Sequence, residues 1–204
     1  MTYSAFLTFV QSQMRDTTAF PDASGDAGKL AEQLKIAYIS ALVVLANLPD
    51  TEQTITTSPA LTPYVYQTSY KALPSGRFFA LPNSGIRRII LDSQKIALSK
   101  AQPRAYVEAI VGNRFQANSD IFAFDESLNY LITPSSKEVK VEYVALPAEP
   151  SIGTETFPLV NPHIQRAAEL VMARVYGYQQ DAYYQQFHQV WSKIYGLNQV
   201  EVSE

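Results

Sequence analysis

Residues 139–195 read VKVEYVALPAEPSIGTETFPLVNPHIQRAAELVMARVYGYQQDAYYQQFHQVWSKIY, and their reading decides the fold. The stretch opens with strict alternation. Val139, Val141 and Tyr143 share one face, while Lys140, Glu142 and Val144 share the other, which predicts a half-buried strand over 138–144. Pro147, Pro150, Pro158 and Gly153 then make 145–161 an extended crossing. Asn161 followed by Pro162 is a favoured helix start, so the spacing predicts a cap at Asn161. Ile164, Ala167, Ala168, Leu170, Val171 and Val175 form one helical stripe. Gly177 breaks or kinks the helix, and Tyr183, Phe187, Val190, Trp191 and Ile194 form a second stripe. Two helices joined by so short a turn are antiparallel neighbours. Gly196 ends them, and the polar residues 197–204 are expected to be mobile unless a partner orders them.

Upstream, Tyr3, Phe6, Leu7, Val10 and Met14 recur at helical spacing, with Thr2 or Ser4 as the cap of a helix over 3–15. Pro21, Ser24 and Gly25 mark a loop. Asp26 caps a second helix running to about Asn47. Its stripe is Leu30, Leu34, Tyr38, Ala41 and Leu45, but Ile36, Ile39 and Val43 lie off that stripe. The second half is therefore apolar nearly all round and is buried on more than one side. Either a neighbouring subunit or the chain's own β region covers the second side.

From 51 to 82, Thr, Tyr and recurrent Pro favour extended segments and turns. Strands are expected at 64–66 and 77–81, with a helix from Pro63 as the competing reading. A β meander follows, with strands at 86–91, 105–111, 121–124, 128–132 and 138–144. Turns at 125–127 and 134–137 join the later strands, and 94–102 is a short helix or a long loop. The order helices, strands, helices predicts an α+β fold. Residues 1–50 and 157–196 would form one helical bundle, with 51–156 as an inserted β module and 197–204 as a tail.

Net charge is −3, from 16 basic and 19 acidic residues. No basic run exceeds Arg87-Arg88, which argues against non-specific nucleic-acid binding as a main role. The chain has no cysteine, so thiolate chemistry and disulfides are excluded. Residues 1–16 lack the features of a signal peptide, and the apolar run at 36–46 is too short to span a bilayer. His163 and His188 are the only histidines and lack zinc-site spacing; capping or surface packing suits the first and core-edge packing the second. No nucleophile elbow, dinucleotide fingerprint or phosphate loop occurs. Asp120, Asp125 and Glu126 read as a solvated turn before a cation site. Catalytic residues, metals and cofactors are therefore expected to be none. Sparse charge and 13 tyrosines suit a surface that meets another protein. Arg87 and Arg88 could face an acidic partner or make ordinary surface contacts. The Tyr and Gln of 176–189 could form an interface or simply the wet face of a helix hairpin.

Several stretches together carry a family resemblance. Leu73-Pro74-Ser75-Gly76 precedes IRRIILD at 86–92; VKVEYVALP follows at 139–147; FPLVNPHIQRAAELVMARVY at 157–176 and DAYYQQFHQVW at 181–191 close the pattern. This layout resembles the head-to-tail connector, or adaptor, proteins of tailed bacteriophages. In plan it is similar to the tail tubular protein A type of short-tailed phages and to the first ring protein of crAss-like phages. The resemblance covers about 1–195, and FPLVNP departs from the usual linker pattern. It implies a virion protein made in the host cytoplasm that forms a dodecameric ring at the neck. Its partners would be itself, the portal protein, and the next tail or nozzle ring or a tail-fibre protein. Packaged DNA would pass through the channel without sequence-specific binding, and no membrane is involved. The expected subunit or partner contacts are Ile36, Ile39, Val43, Arg87, Arg88, Tyr176, Tyr178, Tyr184 and Trp191.

Overall fold

The structure, a computed structural model, describes residues 1–14, 20, 23, 25–111, 120–125, 129–134, 138–176 and 182–195, without the side chains of 182–184. It is an α+β fold with five α-helices and two antiparallel sheets among the described residues. The chain divides into two compact units, Met1–Glu52 with Pro147–Glu204, and Gln53–Leu146. The sequence reading placed the second boundary at 156. It falls at Leu146 because the following residues bond to the start of the helical unit.

The helical unit contains α1 (Tyr3–Gln13), α2 (Ala27–Ala46), α4 (His163–Tyr176) and α5 (Ala182–Tyr195); α3 belongs to the other unit. Thr2 caps α1 by accepting from Ala5 N at 3.2 Å. Asp26 caps α2 by accepting from Gly28 N and Lys29 N, both at 3.1 Å. Each cap satisfies amides that the first helical turn leaves without partners. Helix α2 is the axis of the unit and packs on α1, α4 and α5. Its residues from Ile36 to Val44 are all buried. Helices α1, α4 and α5 of the same unit cover much of it. Helix α4 begins at His163 rather than Pro162, and its buried face holds Ile164, Ala167, Ala168, Leu170 and Val171, with Val175 only half-buried.

Residues 147–157 form a strap across the unit. Phe157 N donates to Met1 O (2.9 Å), Tyr3 N to Glu155 O (3.1 Å) and Ser4 N to Gly153 O (2.9 Å), so residues 1–4 run antiparallel to 153–157. Phe157 stacks on Phe6 with ring centres 4.0 Å apart and meets Tyr3 edge-on. Tyr38 Oη donates to Pro147 O (2.8 Å), and Tyr195 Oη donates to Glu149 (2.6 Å).

The β unit holds β1 (Ile55–Thr57), β2 (Tyr70–Ala72), β3 (Ile86–Leu91), β4 (Gln94–Ala97), α3 (Arg104–Val111), β5 (Ala123–Asp125), β6 (Tyr130–Ile132) and β7 (Val139–Val144). One sheet has the order β1-β7-β3-β4 and the other β2-β6-β5. Alternation assigns the faces. Leu131 joins Ile86, Ile89, Leu91, Val139 and Val141 in one core, while its neighbour Ile132 joins Ala123 and Val107 of α3 in a second. Val139, Val141 and Tyr143 face the first core, as the alternation predicts, while Glu142 takes an ion pair from Lys95 at 2.6 Å.

Several expected strands differ. Residues 105–111 form α3, because Val107 and Ile110 are buried at helical spacing and Arg104 and Glu108 pair one turn apart. Residues 64–66 are a turn, neither strand nor helix start; 77–81 contribute only an isolated bridge at Arg77. The segment 94–102 supplies β4 and a 3-10 turn. Strand β4 closes a hairpin with β3 through Asp92 and Ser93, both at positive φ (50° and 66°), as a two-residue hairpin turn requires. The expected features at Glu126, 135–137, Gly177 and 197–204 lie outside the described residues.

Candidate interaction surfaces

The groups that could carry chemistry are engaged with one another. His163 Nε2 lies 2.8 Å from Glu52 Oε2 on the surface of the helical unit. His188 stands edge-on to Phe187, and burial, then Arg174, push its pKa down. In the β unit, Arg104 binds Glu108 (2.8 Å) and Asp125, and its guanidinium lies over the Tyr130 ring. Tyr70 Oη also donates to Glu108 at 2.8 Å. The hydrogen bonds from Arg104 and then Tyr70 hold the Glu108 carboxyl below its ordinary pKa, so it is an anchored anion rather than a base. This network staples α3 to the sheet β2-β6-β5. No group of three or more His, Cys, Asp or Glu that could hold a metal ion occurs among the described residues. Among them, no helix is long and apolar enough to cross a membrane.

The expected contact residues are placed unequally. Ile36, Ile39 and Val43 are buried within the single chain, so they offer no surface to a neighbour; this corrects the expectation drawn from the apolar girth of α2. Arg87 is half-buried and donates to Gln53 Oε1, whereas Arg88 is exposed beside Glu142 (3.9 Å). A register shift between Ile86 and Arg88 interrupts the pairing of β3 with β7 at this point. Trp191 is half-buried on α5, between Phe187 (5.8 Å, stacked) and Tyr195 (5.0 Å), with Arg174 over its ring. Its Nε1 is buried without a hydrogen-bond partner among the described residues. Tyr176 is half-buried at the end of α4. Tyr178 and the side chain of Tyr184 lie outside the described residues.

The exposed large apolar side chains among the described residues were not on that roster. Tyr64, Val65 and Tyr66 are 45%, 85% and 97% exposed. They sit where an arm at 62–64 turns into β2. Ala72 N donates to Thr62 O (3.0 Å), Tyr64 N to Tyr70 O (2.9 Å) and Tyr70 N to Gln67 O (2.8 Å). Beneath the turn, the buried Lys71 donates to Thr68 O (3.1 Å), and Tyr64 rests edge-on against Tyr130. Burial lowers the Lys71 pKa. The signal in the sequence was the absence of charge: no charged residue occurs between Glu52 and Lys71.

In the helical unit, Met1, Ile152 of the strap and Val160 beyond it are 51%, 64% and 72% exposed. The only charge between Glu149 and His163 is Glu155. Its Oε1 accepts from Ser151 N (2.7 Å), Ser151 Oγ (2.8 Å) and Ile152 N (3.1 Å). These bonds, led by the Ser151 amide, bring its pKa down to about 2.

Compared with known proteins, the chain matches no family model and no curated protein sequence.

Proposed function

We propose that this chain is the protomer of a head-to-tail connector ring of a tailed bacteriophage, seated between the portal and the next component of the tail. The observation that carries the proposal is the layout: one helical unit from both ends of the chain, with a β-rich unit inserted between them. That is the arrangement the resemblance of 73–92, 139–147 and 157–191 implies. The role is structural and involves no catalytic step. A ring protomer needs surfaces that bind neighbours without charge, and both units carry exposed apolar groups on charge-poor segments. A net charge of −3 also suits a channel through which DNA must move, since clustered cations would hold phosphates.

The test is to mix the protein with the purified portal of the same virus and image the product. A ring added to the tail-side face of the portal is the expected result. A bare portal at saturating protein would overturn the proposal.

A further inference from the structure

An open sheet leaves main-chain groups at its edges that a further strand can take. The sheet β1-β7-β3-β4 ends in two such edges, β1 and β4. Next to the two-residue turn at Asp92 and Ser93, Leu91 and Gln94 are a hydrogen-bonded pair, and so are Ile89 and Ile96 two steps on. The main-chain groups of Lys95 and Ala97 therefore point away from β3. On β1, Ser58 N donates to Val141 O, which makes Ser58 and Thr56 the hydrogen-bonded positions and turns the main chain of Ile55 and Thr57 outward. Among the described residues, no main-chain bond reaches these four from outside the sheet, and all four are exposed.

We infer that the β4 edge of one protomer pairs with the β1 edge of the next, so that one sheet runs on from copy to copy. This inference rests on the ring reading and supplies its subunit contact.

Direction, face and charge favour a second copy as the added strand. Neighbouring strands of this sheet are all antiparallel, so β1 and β4 run in opposite senses and β1 of the next copy continues the ladder. Register places Ile55, Thr57, Lys95 and Ala97 on the face of Glu142 and Arg88, opposite the core of Ile89, Ile96 and Val141. Facing residues of antiparallel strands share a face, so joining the edges keeps core side with core side. Ile55 opposite Ala97, with Thr57 opposite Lys95, is the register that uses all four outward residues. In that pairing the exit from β4 meets the approach to β1. The exit, 98–100, holds Lys100 and no acid; the approach, 50–54, holds Asp50 and Glu52 and no cation. Two unlike edges make a head-to-tail contact, which closes into a ring when the rotation per step allows, whereas an edge paired with its own copy stops at a dimer.

A lysine on an edge strand guards it when the side chain projects across the edge. Lys95 does not. Its Nζ lies 2.6 Å from Glu142 on β7, so the side chain leans back over β3 and leaves the edge clear. Both strands are already held by their own sheet, so little backbone freedom remains to be lost on pairing.

Proline supplies the first test. Ala97 has φ −70°, which proline adopts, and the N–H it would lose is the outward one. Ala97→Pro should leave the melting temperature of the free chain unchanged and cut ring formation on the purified portal at least tenfold. Cysteines supply the second, since the chain has none. Facing hydrogen-bonded residues lie about 5.5 Å apart at Cα, within disulfide reach. Ile55→Cys and Ala97→Cys are made in separate full-length chains, one with a mass tag, and oxidised alone and mixed, both free at high concentration and on the portal. The expected result is a disulfide between the two variants and little within either alone, with a ladder of chain multiples from the double variant. A ring undiminished by Ala97→Pro, cross-linking of Ala97→Cys only to itself, or no mixed product in either setting would each overturn the inference. If Ala97→Pro lowers the melting temperature, the cysteine pair decides alone. A ring on the portal without the Ile55–Ala97 product removes this contact and leaves the connector proposal standing. The product without any ring on the portal does the reverse.

Discussion

Gly153 holds the strap against α1 in a conformation that few other residues tolerate. Its φ is +83°, and an added Cβ would fall inside contact distance of Ser4 Oγ and 3.5 Å from Leu34 Cδ2. For Gly153→Ala, the left-handed backbone costs about 1–2 kcal/mol. Driving Ser4 off its rotamer adds about 0.5–1.5 kcal/mol, so the expected loss is roughly 1.5–3.5 kcal/mol. At about 2–4 °C per kcal/mol for a chain of this size, the melting temperature should drop by about 3–14 °C. The only tryptophan, Trp191, is on α5, so its fluorescence reads the helical unit directly. Ser4→Ala with Gly153→Ala separates the two terms. Removing Oγ relieves the overlap but not the backbone strain, so the double variant should recover only the rotamer part. An unchanged melt for Gly153→Ala would refute the packing of strap on helix, and full recovery in the double variant would refute the backbone term.

Three further outcomes are expected. The Glu155 pKa is lowered on folding, so its contribution is complete above the ordinary value near 4.5 and is lost as pH falls toward about 2; the melting difference between wild type and Glu155→Gln should shrink between pH 7 and acid, and a constant difference would count against it. Trp191→Ala should cost about 2–3 kcal/mol, less than the 3–5 of a fully buried tryptophan, because Trp191 is half-buried between Phe187 and Tyr195; equilibrium denaturation followed by circular dichroism measures it. Gly85→Ala should be harsher than Gly153→Ala. At φ +76° its Cβ would meet the main-chain carbonyl of Phe78 at 2.9 Å, which cannot swing aside, and faster amide exchange at Ile89 and Val141 is the readout.

The long elements were legible because local signals agreed with tertiary ones. Asp26 announced α2, and the alternation from Val139 to Tyr143 announced both the strand and its buried face. Helix α3 was hidden because RAYVEAIV is short and rich in residues that suit strands; the Arg104–Glu108 pair was the signal that decides it. Strands β1 and β2 have three residues each, too few for any period to appear. The interaction surface was misplaced for a different reason. An all-round apolar helix says that something covers it, not what; here α2 packs on α1, α4 and α5, and Ile36, Ile39 and Val43 are buried within the single chain. Tyr64–Tyr66 were read as strand because Tyr and Val favour strands, while exposure follows from the turn geometry that Pro63 and the Tyr70 bonds impose.

The strap ties the first four residues of the chain to residues beyond 150, and this sets an order on synthesis. When residue 146 has left the ribosome, every strand of the Gln53–Leu146 unit is present and can pair. The first two helices have no such completeness. α2 must wait, with its apolar second half uncovered, until α4 and α5 are made, which at roughly 5–20 residues per second takes several seconds. The nascent chain is then a finished β unit carrying an unsatisfied helix at its leading end, and that interval is when a chaperone has most to protect.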